Sequence, residues 1–585
     1  MAETLLSPGV LARENDQSFI TQQPVQVGAA LVGPTVKGPV EVPTIVTSYS
    51  DYQNRFGTTF ESGSQVYTYF TSITAYNYFN NGGDTLLVSR VVSGSAAGGP
   101  GVWDYAQAEV SASRAATVSF TLEAIDKGAI FNNVGTITSG SLDSGSIDNI
   151  RWQVTSANTA SGTFGLVVRR GNDSTNNPVV LEAYSNLSLD PTQDNFISRV
   201  IGDNKFNYNA TENYLEVSGS YPNASRYIRV KTVNSLTPSY LDNAGNAKDN
   251  FTGSIPVVGS GSAGGSFSGG VGNILPNVEG LYYDKASASG GGDVIANNSQ
   301  GLIGADYDNM LNLLANQDDY RFNALLTPGL FNSVQASQAT TAINNTQGRG
   351  DSLYVLDPIP YGATITATVT QAASRNTSYA AMYWPWVQTV DPDSAQNVWI
   401  PASTMIGGVY AYNDSVSEPW FAPAGINRGG LTNVIRPERK LTQGNRDTLY
   451  EANLNPIASF PGVGTVVYGQ KTLQRQASAL DRVNVRRLLI ALKGYISQVS
   501  QTLLFEQNTA ATRNNFLSTV NPYLESVQQR QGLYAFKVVM DDSNNTPDVI
   551  DRNQLVGAIY LQPTKTAEFI ILDFNVLPTG ATFPG

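Results

Sequence analysis

A chain of 585 residues with a formal charge of −12, no histidine and no cysteine excludes His-based acid–base catalysis, Ser-His-Asp and Cys-His nucleophiles, His/Cys zinc sites and disulfides. What remains for chemistry is paired carboxylates, Lys, Tyr or an oxygen-ligated metal, and the acidic balance argues against nucleic acid as the main partner. Charged residues make up only 14% against a typical ~25%, and Gly, Ser, Thr and Asn fill the gap, as suits turn-rich β-structure and surfaces covered by other protein.

Length alone predicts about four domains. The opening residues have no basic n-region and no apolar h-region, so no signal peptide is expected, and no apolar run approaches the ~20 residues that span a bilayer. Residues 1–22 read as an N-terminal arm: "SPGV" sets a turn and "RENDQSF" is too polar to build a core. Residues 23–95 read as a small mixed α/β domain. Val-rich strands lie between Gly-Pro and Val-Pro turns, Val66, Tyr69, Phe70, Ile73, Tyr76 and Phe79 recur at helical spacing, and Asp84–Val92 is a buried strand. Residues 96–275 run as short alternating strands, which predicts one or more inserted β-sandwich-like domains. Within them Gly253–Gly272 is low-complexity and predicts a flexible loop or linker, and 276–300 a Gly/Ser-rich linker. From 301 to 450 strands and helices alternate at the spacing of a parallel α/β sheet. Residues 451–564 read as an α+β domain, with helices near 480–503 and 513–531 before the strands, and 565–585 as a terminal strand or arm.

Apparent chemistry motifs have plainer readings. In "GTVVYGQKT", Gly464–Thr472, Gln470 intrudes before the lysine of a phosphate-binding loop, and Thr-Val-Val-Tyr is strand sequence rather than an open N–H cradle. The pairs Asp391/Asp393 and Asp541/Asp542 read as solvated loop carboxylates rather than a glycosidase pair or calcium ligands. "YWPWVQTV" from Tyr383 reads as an aromatic core at a strand end rather than a stacking platform. No catalytic, cofactor or metal residue is assigned.

The 480–503 helix is the unusual element. At 100° per residue, Val485, Leu488, Leu489, Leu492, Ile496, Val499 and Leu503 fall within about a 100° stripe. Arg482, Arg486 and Lys493 cluster within about 40° beside it, while Arg487 points elsewhere. Residues 428–500 hold eleven Lys/Arg and four Asp/Glu, a surplus of +7 that leaves −19 for the rest of the −12 chain. That asymmetry predicts a basic patch for an acidic partner, set against the plainer reading of a core helix with a solvated face.

The stretch "LYEANLNPIASFPGVGTVVYGQKTL", then "VNVRRLLIALKGYISQVSQTLLFEQN", a "DDSNNTP" loop and "QPTKTAEFIILDF" resemble, in order, the contractile-tail sheath proteins of bacteriophages. "LLSPGVLARENDQS" and "PVVLEAYSNLSLDPTQDNFISRVIGD" are similar to further segments of that family. The resemblance implies an α/β plus β multidomain fold: a subtilisin-like but non-catalytic α/β domain, an α+β C-terminal domain and inserted β-sandwich-like domains. It implies no enzyme and no cofactor, but a structural subunit of the virion tail sheath, assembled in the host cytoplasm. Such subunits stack as hexameric rings around a tail tube and contract to drive it through the host envelope during genome delivery. The implied partners are further copies of the chain, the tail tube protein, and baseplate and tail terminator proteins, with no direct nucleic-acid contact and no membrane insertion. Intersubunit strand exchange is expected at Leu5, Leu6, Val10, Phe569, Ile570, Ile571, Leu572 and Phe574, and tube contact at Arg482, Arg486 and Lys493. Alternatives are the sheath of a tailocin-type injection particle, or a carbohydrate-binding adhesin or enzyme using the insertions and the Trp cluster.

Overall fold

The computed structural model describes residues 27–62, 65–92, 103–114, 116–258, 265–272 and 298–568. Strands separated by helices must cross over to pair in parallel, and here they build one large sheet. Its eight strands run in the order Thr44–Val46, Leu86–Arg90, Val27–Gly33, Phe322–Phe331, Leu353–Asp357, Ala380–Trp384, Leu454–Phe460, Gly464–Val467. The six inner strands are parallel, and both edge strands pair antiparallel.

This architecture corrects the expected 23–95 domain, because three of these strands come from that segment. The reason is burial on both faces. Ala29, Leu31, Leu86 and Val88 pack into one core, and Ala30, Val32 and Leu87 into the opposite one. Strands apolar on both sides need helices on both sides, which a domain of this segment alone does not hold. The Phe70–Asn80 and Ser403–Val416 helices cover the first face through Phe70, Ile73, Met405 and Ile406. The Asp308–Leu313, Ala336–Arg349 and Ile365–Ala373 helices cover the second through Met310, Ile343 and Ala372. The expected helix of 66–79 starts later than its periodicity suggested: Val66 belongs to the Gln65–Thr68 hairpin strand, and Tyr69 is the N-cap.

The inserted segment forms two three-stranded antiparallel sheets, one of Ile150–Asn158, Thr163–Arg170 and Val180–Ser188, the other of Tyr105–Ser111, Val118–Lys127 and Ile228–Val233. Both close on one core, where Phe120 and Phe164 stack at 5.4 Å. The Gly-rich stretch is not a free linker where it is described. Gly265 bridges to Trp152, Ser268 to Gln107 and Val271 to Asp104, and Phe267 is fully buried. Glycine permits this strap, since a Cβ at Gly265 would lie 1.9 Å from the Trp152 ring. A polar seam ties this body to the central sheet. Arg90 donates to the Gly38 carbonyl at 2.6 Å and to that of Lys127 at 3.3 Å, Gly38 N donates to Asp126 at 3.0 Å, and Lys37 pairs with Asp148 at 3.2 Å.

The C-terminal part is α+β. The Val483–Gln501 and Ala510–Gln529 helices pack on a hairpin of Leu533–Val539 and Ala558–Pro563. The first helix serves two cores: Val483 and Ile490 face the central sheet, while Leu488 and Leu492 join Phe516, Val520 and Leu524.

Candidate functional site

The near phosphate loop is structural. Gly464–Val467 is the antiparallel edge strand, and Lys471 Nζ donates to the Tyr450 carbonyl at 2.7 Å over the Tyr450 ring. The Trp cluster is core: Trp384 and Trp386 are buried, and Trp386 stacks on Phe331 at 5.7 Å. Asp391 and Asp393 depart from expectation. Asp391 is fully buried and accepts from the Thr68 and Ser394 hydroxyls, while Asp393 accepts from the Tyr49 hydroxyl and from Gln53 Nε2 at 3.0 Å. Asp393 fastens the loop to the Tyr49–Phe56 helix and Asp391 fastens it to the Gln65–Thr68 strand, and burial raises the Asp393 carboxyl. Asp541 is exposed, and Asp542 pairs with Arg513 at 2.8 Å. Among the described residues, no group of three or more Asp or Glu could hold a metal ion.

The basic surplus has a structural destination. Eight of the eleven cations of 428–500 lie over an aromatic ring, from Arg428 over Phe421 to Arg487 over Tyr410. Only Arg486 and Arg487 of the eight are buried, where such a pair is worth up to about 2 kcal/mol, against about 0.5–1 kcal/mol at exposed sites. The expected stripe of three cations does not form a patch. Arg486 is 3% exposed, donates to the Ser378 carbonyl at 3.2 Å and to its hydroxyl, and lies 4.0 Å over Tyr379. Arg482 is half-buried and bound to Glu568. Lys493 is exposed, with Nζ 3.4 Å from the Tyr379 hydroxyl. Arg486 and Lys493 both meet the 376–379 loop, at Ser378 and Tyr379, whereas Arg482 is the N-cap residue with extended backbone and turns to Glu568 instead.

Unequal stability effects follow. Arg486→Glu puts a carboxylate against the Ser378 carbonyl and should cost about 3–5 kcal/mol in denaturant unfolding, as for a broken buried pair. Lys493→Glu should cost about 1 kcal/mol or less.

Around Glu568 several elements meet. Arg482 Nε and Nη2 donate to its two oxygens at 2.7 and 2.9 Å, the Tyr450 hydroxyl donates at 2.8 Å, and Gln470 Nε2 donates at 3.1 Å. Gln470 Nε2 also lies 2.7 Å from the Thr566 hydroxyl. Burial alone would raise the Glu568 carboxyl, but hydrogen bonds from Arg482 and Tyr450 outweigh it and hold the group below its ordinary range. Sequence reasoning missed this site, because the three residues that bind Glu568 come from positions 450, 470 and 482.

A cleft of about 1050 Å³ opens between the later turns of the Val483–Gln501 helix and the central body, lined by Arg321, Asp351, Tyr495 and Tyr523. Leu504 and Phe505 stand exposed past the helix end, and Tyr534 and Tyr560 on the hairpin. The expected exchange residues Leu5, Leu6, Val10, Phe569, Ile570, Ile571, Leu572 and Phe574 lie outside the described residues.

Comparison with known proteins adds to this geometry. The phage tail sheath protein central domain matches residues 304–473, and the phage tail sheath C-terminal domain matches 475–577. The tail sheath protein of Vibrio phage KVP40 is 41% identical over 246 residues, which are 42% of this chain and 36% of that one. The tail sheath protein of Enterobacteria phage T4 is 40% identical over 208 residues, 36% of this chain and 32% of that one. The matched part thus spans about a third of the length of each of these relatives. A sheath tail protein of Listeria innocua shares the fold with a TM-score of 0.52 at 9% identity, over 92% of this chain and 96% of the other.

Proposed function

The chain belongs to the phage tail sheath family through its central and C-terminal domains, and from that premise we propose that it polymerises as stacked hexameric rings around a tail tube. In this reading the stack contracts to drive the tube through the host envelope and deliver the genome. The observation that carries the reading is the succession of both sheath domains along 304–473 and 475–577, which takes in the whole C-terminal core and the larger part of the central sheet. The exposed Phe505, Tyr534 and Tyr560 support it, as apolar surface that a neighbouring molecule can cover. Trp384 and Trp386 are buried, so these two rings offer no stacking face to a sugar.

The chain is a structural component and turns over no substrate. Its partners are further copies of itself, the tube, and the baseplate and terminator proteins at the two ends, and its place is the virion tail. Among the described residues no helix is long and apolar enough to cross a membrane. Of the three cations expected at the tube, Lys493 alone is free to reach one, so the tube contact rests there.

Sedimentation velocity of the purified chain, with and without tube protein, tests the reading. The expected result is particles far larger than the 62.6 kDa subunit. A chain that stays monomeric in both mixtures contradicts it.

A further inference from the structure

We propose that Glu568 is an anchor that fixes the root of residues 569–585 and so sets the direction in which that segment leaves the body before it meets another copy of the chain. The proposal rests on the reading that this segment engages a neighbour. Residues 564–568 have no helix or strand of their own. Between the end of the hairpin at Pro563 and Glu568, Thr564 N donates to the Gly532 carbonyl at 3.2 Å, and the Thr566 hydroxyl meets Gln470. The four donors to Glu568 then come from three places. Tyr450 lies in the Gln443–Glu451 helix, Gln470 lies just past the edge strand of the central sheet, and Arg482 is the N-cap residue of the Val483–Gln501 helix.

The chain therefore returns from the C-terminal hairpin to the central body and is fastened where both domains meet. Two of the bonds form a forked guanidinium–carboxylate pair, the strong and directional kind. Gln470 is 3% exposed and Val483 N donates to its carbonyl at 2.8 Å, so the socket is part of the rigid body. A pull exerted on the segment by a neighbour would reach the two helices and the central sheet at this point, rather than peeling the two-stranded hairpin.

Lys565 is exposed, one residue before Thr566 and three before the anchor, which gives a direct readout in the full-length, unassembled chain. Trypsin cleavage after Lys565 needs the strap to open, and slow cleavage tracks the open population. Glu568→Ala and Arg482→Ala should each speed that cut by about tenfold, relative to a peptide spanning 560–575 with the same change, because each removes the charge-assisted pair. The double variant should be no faster than the faster single one, as for two halves of one contact. An unchanged cut in Glu568→Ala overturns the anchor. Assembly provides the second arm: Glu568→Ala should fold yet polymerise more slowly, and wild-type assembly alongside an opened Lys565 site overturns the orienting role. Removal of residues 565–585 tests the neighbour-engagement reading separately. If that truncated chain still assembles, the reading fails whatever the trypsin result.

Discussion

Replacing Asp173 by leucine should unfold the inserted β-domain at a cost of about 3–5 kcal/mol while the central sheet stays folded. Asp173 is fully buried between Arg169 and Arg151, which are themselves 1% and 0% exposed. It accepts from Arg169 Nε at 2.7 Å and Nη2 at 2.9 Å, from Arg151 Nη1 at 3.1 Å and from Val179 N at 2.8 Å. Burial already lowers the Arg151 pKa, and Arg169 lowers it further. Without the carboxylate, two guanidinium groups are left in an interior that cannot solvate them. Hydrogen exchange separates the outcomes. Protection should be lost in Thr163–Arg170 and kept in Phe322–Phe331, since the two strands lie in different cores. Equal loss in both strands would show that the inserted domain and the sheet unfold as one unit.

The second large effect is on assembly. Deleting residues 1–20, or the chain after Thr564, should leave folded subunits that no longer form long particles. The C-terminal core includes Leu488, Leu492, Phe516, Val520, Leu524 and Leu533, all of which both deletions retain. The removed segments should instead complete the sheet of a neighbour, and a contact repeated at every subunit is lost everywhere at once. Light scattering should fall to the level of the monomer while the unfolding midpoint shifts little. Long cylinders from either truncated chain would end the strand-exchange reading. The Glu568→Ala variant, which keeps the segment but frees its root, should lie between wild type and deletion.

Several of these features were legible in the sequence and others were not. The parallel sheet was legible, because the strand–helix period over 301–450 is local. The sheet's other half was not. The Val27–Gly33 strand pairs with Phe322–Phe331, nearly three hundred residues later, and nothing in a window of sequence records that partner. The basic helix shows the limit of periodicity. Its angles placed Arg482, Arg486 and Lys493 on one side, but Tyr379, Ser378 and Glu568, which occupy the two arginines, come from other elements. Asp391 was read as a solvated loop residue from its Pro and Ser neighbours, whereas Thr68, far away in sequence, draws it inside. The strap at 265–272 looked like linker because glycine content reports backbone freedom and not what the backbone packs on.

The central claim is that this chain builds a contractile cylinder, and helical reconstruction of assembled particles tests it most directly. The account predicts rings of six subunits around the tube, with the C-terminal helices and Lys493 toward the lumen and the inserted 103–272 body outermost. It also predicts residues 569–585 leaving Glu568 to add a strand to a neighbouring copy. Particles that lack rings, or a cylinder whose lumen is lined by the inserted domain, would contradict it.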